Sequence, residues 1–149
     1  MGALLDREKP ISFSFNGEVL SGFEGDTLAS ALLASDKVLV GRSFKYHRPR
    51  GILSAGSEEP CALVQLEEGA RTEPNLRATQ IELYAGLSAR GVNAWPSVAF
   101  DLGAINNRLA KLFAAGFYYK TFMWPSSFWR TVYEPVIRRM AGLGRAPSQ

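Results

Sequence analysis

Apolar and polar residues alternate most cleanly in "ISFSFNGEVLSGF", residues 11–23. Ile11, Phe13 and Phe15 fall on every second position, which predicts a strand with one buried face. Asn16-Gly17 follows, the dipeptide that accepts positive φ in a two-residue hairpin turn. A second strand through Val19 and Phe23 is expected to return along the first. The period then changes. "EGDTLASALLAS" places Leu28, Ala31, Leu32 and Ser35 on one helical face, with Asp26 as the expected cap. "KVLVG" reads as a short buried strand and "CALVQLEEG" as the next, with Gly69 in its turn. "TQIELYAGL" predicts a further strand with Ile81 and Leu83 on one face. Val98, Leu102, Ile105, Leu109 and Leu112 keep helical spacing, with Ser97 as the expected N-cap. "PSSFWRTVYEPVIRRMAGLG" is expected to be helical, starting near Pro125, disturbed at Pro135 and ended by Gly142.

Two strands, a helix and more strands form the order of an α+β fold of the β-grasp, ferredoxin-like kind. Its mixed sheet carries one packed helix. Residues 8–90 are expected to make that unit. Residues 91–149 read as a helical, aromatic-rich extension, or a linker toward a following domain or partner subunit. Nine of the 17 aromatic residues lie between Phe113 and Tyr133. Two readings stand for that density: the segment completes the sheet's core, or part of it docks on another subunit. Trp124, Phe128 and Trp129 are expected to be partly exposed in the chain alone.

Composition narrows the classes. The chain has 149 residues, 46% hydrophobic and 21% charged, a globular balance. No apolar run reaches the ~18 residues of a membrane span. The start, "MGALLDREKPIS", has no long apolar core or small-residue cleavage site. Leu5, Asp6 and Arg7 stand where a myristoylation signal wants Ser or Thr. A cytoplasmic protein with no membrane contact is expected. One Cys and one His can supply neither an internal disulfide nor a zinc or iron–sulfur site. A net charge of +3 permits an acidic or phosphate-bearing partner without requiring one. The sequence holds no G-x-G-x-x-G and no phosphate-binding G-x-x-x-x-G-K-[ST]. Basic residues gather mainly in one loop and the "RR" pair, without a base-stacking pattern, so nucleic acid is not an expected partner.

That loop lies in "GRSFKYHRPRGILSAGSEEPCALV", residues 41–64. Arg42, Lys45, His47, Arg48 and Arg50 follow one another with no acid from Lys37 to Ser57. Arginine favours bidentate contact with phosphate or carboxylate. The loop either faces a partner or pairs with Glu58, Glu59, Glu67 and Glu68 or with water. No nucleophile or acid is placed beside His47, so no catalytic residue is assigned. Cys61 reads as an inert packed thiol.

The blocks "GRSFKYHRPRGI", "AGSEEP" and "GFYYKTFMWP" resemble the N-terminal region of the α subunits of heterotetrameric sarcosine oxidases. The resemblance runs over roughly residues 8 to 147. Related subunits occur in N-methylglutamate dehydrogenase and similar amine-oxidising complexes. The region is also similar to the [2Fe-2S] domains of hydrogen cyanide synthase and opine-type dehydrogenases. Those carry C-x4-C-x2-C, with a fourth Cys after a further strand, so that thiolates converge on two irons. Matching "ALV" here to the "CLV" that ends the motif puts Ser54, Glu59 and Ala62 at the first three positions. Thr79 falls on the fourth, and no position is a thiolate.

The resemblance implies a β-grasp module that binds no cluster, holds no metal and performs no catalysis itself. It implies FAD, FMN and NAD in the complete complex and none on this chain. The complex it implies demethylates sarcosine oxidatively to glycine. Other regions or subunits of that complex are the implied partners. Lys45, His47, Arg48 and Arg50 become a partner-facing or flavin-proximal loop. An alternative is a ferredoxin-like small subunit of a related amine or opine dehydrogenase. "GLGRAPS" resembles a linker, after which the family's dinucleotide-binding domain begins.

Overall fold

A computed structural model describes residues 5–111 and 125–141. Strand β1 (Asp6–Phe15) buries Phe13 and Phe15 and exposes Ser12, as the alternation predicts. Asn16 and Gly17 take φ of 53° and 83°, and β2 (Glu18–Glu24) returns antiparallel. That two-residue turn fixes the register. Phe13 stands opposite Leu20 and Ile11 opposite Gly22, so Leu20 and Gly22 face the core. Val19 is 75% exposed, and strand alternation puts Phe23 on the same outer face.

Helix α1 (Leu28–Ala34) buries Leu28, Ala29, Ala31 and Leu32. Its cap is Thr27, one residue after the expected Asp26. Thr27 Oγ1 accepts the N–H of Ser30 at 3.2 Å, while Asp26 Oδ1 accepts the N–H of Thr27 at 2.8 Å. The helix entrance also holds the segment that "TQIELYAGL" predicted as a strand. Leu28 N–H donates to Ile81 O at 2.9 Å, and Leu83 N–H to Asp26 O at 2.8 Å. Ile81 and Leu83 are both buried, but through one isolated bridge, Thr27 to Glu82, and not a strand ladder.

Strands β5 (Leu63–Leu66), β6 (Glu73–Arg77) and β7 (Ser88–Gly91) complete a five-stranded sheet of order β2-β1-β7-β5-β6. β1 and β7 run parallel and the other neighbours antiparallel. This mixed sheet with α1 packed on its core is the expected α+β arrangement. Two-residue strands β3 (Gly41–Arg42) and β4 (Pro49–Arg50) form a separate small hairpin. "KVLVG" does not form a strand over its length. Val38 is exposed, and Val40 and Gly41 are buried, the Val40 N–H donating to Arg50 O at 2.9 Å.

The continuous helix expected after Ser97 is absent from 97–104. Ser97 Oγ accepts the N–H of Phe100 at 3.0 Å and closes a turn instead. Asp101 Oδ1 takes the N–H groups of Trp95 at 2.9 Å and Gly103 at 3.1 Å. Those bonds start a 3-10 turn, Leu102–Ala104, followed by one α turn, α2 (Ile105–Arg108). Of the apolar stripe only Val98 is buried; Leu102, Ile105 and Leu109 are exposed, and Leu112 lies outside the described residues. The spacing was helical, but a local carboxylate competed for the backbone donors.

After Pro125 come a 3-10 turn (Ser126–Phe128), a π turn (Trp129–Tyr133) and α3 (Glu134–Met140). Pro135 lies in the first turn of α3, directly after the π turn, so the helical run changes type at the place where the sequence predicts a disturbance. Phe128 is exposed and Trp129 half-buried, while Trp124 and Gly142 lie outside the described residues. Asn75 Nδ2 donates to Ala141 O at 3.1 Å and ties the end of α3 to β6.

Gly91 closes the sheet where the chain crosses itself. A Cβ there would overlap the Val40 carbonyl oxygen and the Val98 side chain. Gly91→Ala should therefore lower stability by about 1–3 kcal/mol. Chemical denaturation should show a reduced midpoint at unchanged m-value.

Candidate functional site

The loop 51–62 joins the small hairpin to β5 and is organised around one side chain. Glu59 is fully buried. Its Oε2 accepts the N–H of Leu53 at 2.7 Å and of Ser54 at 2.6 Å. Its Oε1 accepts the N–H of Cys61 at 2.5 Å and of Ala62 at 2.9 Å. Burial alone pushes this carboxyl up; the four backbone donors outweigh that and hold it below the usual glutamate range. The backbone is braced in turn. Arg77 Nε donates to Glu59 O at 3.1 Å, Ala78 N–H to Ala62 O at 2.9 Å, and Thr79 Oγ1 to Gly56 O at 2.6 Å.

Of the four positions that the sequence aligns with cluster ligands, Ser54, Glu59 and Ala62 meet at the Glu59 carboxylate through two backbone amides. Ser54 and Ala62 give amides to Glu59, and Thr79 braces the turn before it. Their chemistry does not fit a [2Fe-2S] cluster, which is held by thiolates. A hydroxyl, a carboxylate, a methyl and a second hydroxyl stand there. Cys61 is the one Cys of the chain. It is half-buried where its neighbour Ala62 is fully buried, and Arg50 Nη1 lies 3.5 Å from its Sγ. Among the described residues no group of three or more His, Cys, Asp or Glu is placed to hold a metal ion.

A second buried carboxylate organises the cationic loop. Asp101 Oδ2 lies 2.8 Å from His47 Nδ1 and 3.6 Å from Arg42 Nε, while its Oδ1 holds the Trp95 and Gly103 amides. Burial again pushes this carboxyl up, and the Trp95 amide, His47 and the Gly103 amide together hold it below the ordinary aspartate value. Arg42 bridges both sides, donating to Val98 O at 2.8 Å and to His47 O at 2.9 Å. His47 itself takes φ of 53°, a conformation held by this surrounding network.

The remaining candidates spread outward from that clasp. Arg48 is exposed and donates through Nε to Asn107 Oδ1 at 2.8 Å; its guanidinium also lies 4.7 Å from the Tyr46 ring centroid. Lys45 Nζ lies 4.9 Å from the same ring, and Lys45 O accepts from Asn106 at 3.4 Å. Arg50 is exposed on β4. No ion pair joins these residues to Glu58, Glu59, Glu67 or Glu68 among the described residues. His47 finds its acidic partner in Asp101, 54 residues further on, and Arg48 bonds the neutral amide oxygen of Asn107. The sequence offered one hint of it: five cationic or imidazole side chains with no acid nearby must find a partner elsewhere in the chain.

Comparison with known proteins agrees with the ferredoxin-like sheet. Residues 8–94 match the model of the 2Fe-2S iron-sulfur cluster binding domain. Over 143 residues the chain is 64% identical to the sarcosine oxidase subunit alpha of Rhizobium meliloti (strain 1021). That match covers 96% of this chain and 14% of the relative. It is 43% identical over 93 residues to the sarcosine oxidase subunit alpha of Corynebacterium sp. (strain U-96), covering 59% of this chain and 9% of that one. A solved L-proline dehydrogenase from P. horikoshii aligns with a TM-score of 0.45 at 26% identity, covering 58% of this chain and 16% of that one. The chain thus spans about one seventh of the length of its Rhizobium relative.

Both buried carboxylates have folded values below their unfolded ones. Their stabilisation is complete above the ordinary carboxylate range of about 4 and is lost as pH falls through the folded values. Asp101→Asn should flatten this acid limb and cost about 1–3 kcal/mol at neutral pH, because buried amides lose a charged acceptor. Denaturation midpoints of both proteins across acidic and neutral pH measure the difference.

Proposed function

This chain belongs to the family of 2Fe-2S iron-sulfur cluster binding domains, and from that premise we propose that it is a non-catalytic assembly module of a flavin-dependent sarcosine oxidase complex. That complex carries out oxidative demethylation of sarcosine to glycine, with hydrogen peroxide and formaldehyde or methylene-tetrahydrofolate as products. FAD, FMN and NAD belong to its other parts. The observation that carries the reading is a cluster-type sheet whose four aligned ligand positions are Ser54, Glu59, Ala62 and Thr79. The identity to sarcosine oxidase α subunits supports the choice of complex. A module so built contributes shape and contacts.

The contact face starts where the family match stops. Trp95, Leu102, Ile105 and Leu109 are exposed, just past the matched residues 8–94. Leu102 N–H donates to Trp95 O at 2.9 Å, which sets those two side by side, and Leu109 follows Ile105 by one turn. Arg48 joins this face through Asn107, and Arg108 and Lys111 are exposed in the same segment. The occupant is the remainder of the complex, most of whose length this chain does not cover. An apolar centre with an acidic rim suits such a face. The loop Lys45, His47, Arg48 and Arg50 forms its basic margin.

Ile105→Asp with Leu109→Asp should leave the circular dichroism of the isolated chain unchanged and abolish co-purification with the rest of the complex. Arg48→Glu with Arg50→Glu should weaken assembly in a salt-dependent way. The isolated chain should form no peroxide from sarcosine. Unchanged co-purification and flavin content in both double variants would overturn the docking role.

A further inference from the structure

The ligand loop lacks thiolates, yet its backbone still directs its donors at one place. Leu53 and Ser54 approach from one side of the loop, Cys61 and Ala62 from the other, all within 2.5–2.9 Å of the Glu59 carboxylate. Successive N–H groups converging this way form an anion-binding concavity. No ion pair to Glu59 is formed among the described residues, so amide dipoles alone balance its charge. Ser54 Oγ, at the first aligned ligand position, is buried with no hydrogen-bond partner. A hydroxyl suited to this place would be satisfied. Its orphan state marks a loop whose shape is set by something other than the Ser54 side chain.

We propose that Glu59 is a built-in anion that serves as the electrostatic centre of this loop where a cluster domain has its cluster, so that removing its carboxylate opens a nest of four amides that takes up one small carboxylate in its place. In cluster domains, backbone hydrogen bonds reach the sulfurs of an anionic group. Here the same need for negative charge is met from within the chain. A neutral amide cannot meet it. Glutamine would turn an N–H group toward two N–H donors and leave them unpaired. The inference concerns this loop alone and does not depend on the complex in which the chain sits.

The test uses the 149-residue chain with Glu59→Ala, and reads amide exchange at Leu53, Ser54, Cys61 and Ala62 by NMR. Exchange at these four amides should accelerate by about tenfold or more. Sodium formate should slow it again where sodium chloride of equal ionic strength does not. Wild-type exchange should ignore formate. Glu59→Gln should accelerate exchange at the two amides that face its NH2 group and gain nothing from formate. If the alanine variant is unfolded, recovery of its circular dichroism by formate but not chloride supports the proposal in the same way. Wild-type protection in either variant, or a formate effect no larger than that of chloride, would overturn it.

Discussion

A carboxylate taken fully out of water is tolerated only where fixed donors replace its hydration, and Glu59 meets that condition with four backbone amides. The constraint acts in both directions. Without the amides the charge could not stay inside. Without the charge, four N–H groups would be buried with no acceptor. Neither half is stable alone, so the pair specifies one conformation for the loop 51–62. The neighbouring strands inherit that conformation. β5 begins directly after Ala62, and β6 ends at Arg77, whose guanidinium holds the Glu59 carbonyl. The core packs Val64 and Ala78 behind this frame.

Asp101 repeats the solution at the other end of the basic loop, with a cation added. Two of its partners are amides and two are the side chains of His47 and Arg42. The loop's charges are therefore divided. Arg42 and His47 are spent inward on holding 95–103 against the hairpin, while Arg48 and Arg50 remain outward.

The sheet and helix were legible because their signals are local. Phe13, Phe15 and the Asn16-Gly17 turn needed only a period of two and a turn type. Leu28, Ala31 and Leu32 needed only a period near 3.6. The segment after Ser97 misled for a related reason. Periodicity reports which residues are apolar, and says nothing of a carboxylate that draws off the backbone N–H groups. Ile81 and Leu83 have the right faces on the wrong element, since a buried apolar pair fits a strand or a pinned loop equally. Glu59 was visible in sequence as a ligand position without a thiolate. Its four amide contacts were not, because the direction of a backbone N–H depends on dihedral angles that composition does not encode. Asp101 was missed, separated from His47 by 54 residues.

The parallel pairing of β1 with β7 sets an order on the making of the protein. The β1–β2 hairpin is complete in the first 24 residues, but the strand beside β1 ends at Gly91, which donates to Asn16 across 75 residues of chain. On a ribosome the hairpin would leave the exit tunnel before its parallel neighbour and wait, with Phe13 and Phe15 still wet, until that strand is synthesised. In that interval the amphipathic helix α1 is the first part of the core synthesised after the hairpin. The topology thus makes the newly made hairpin a client for any factor that binds exposed aromatic side chains, and its release is timed by the arrival of residues 88–91.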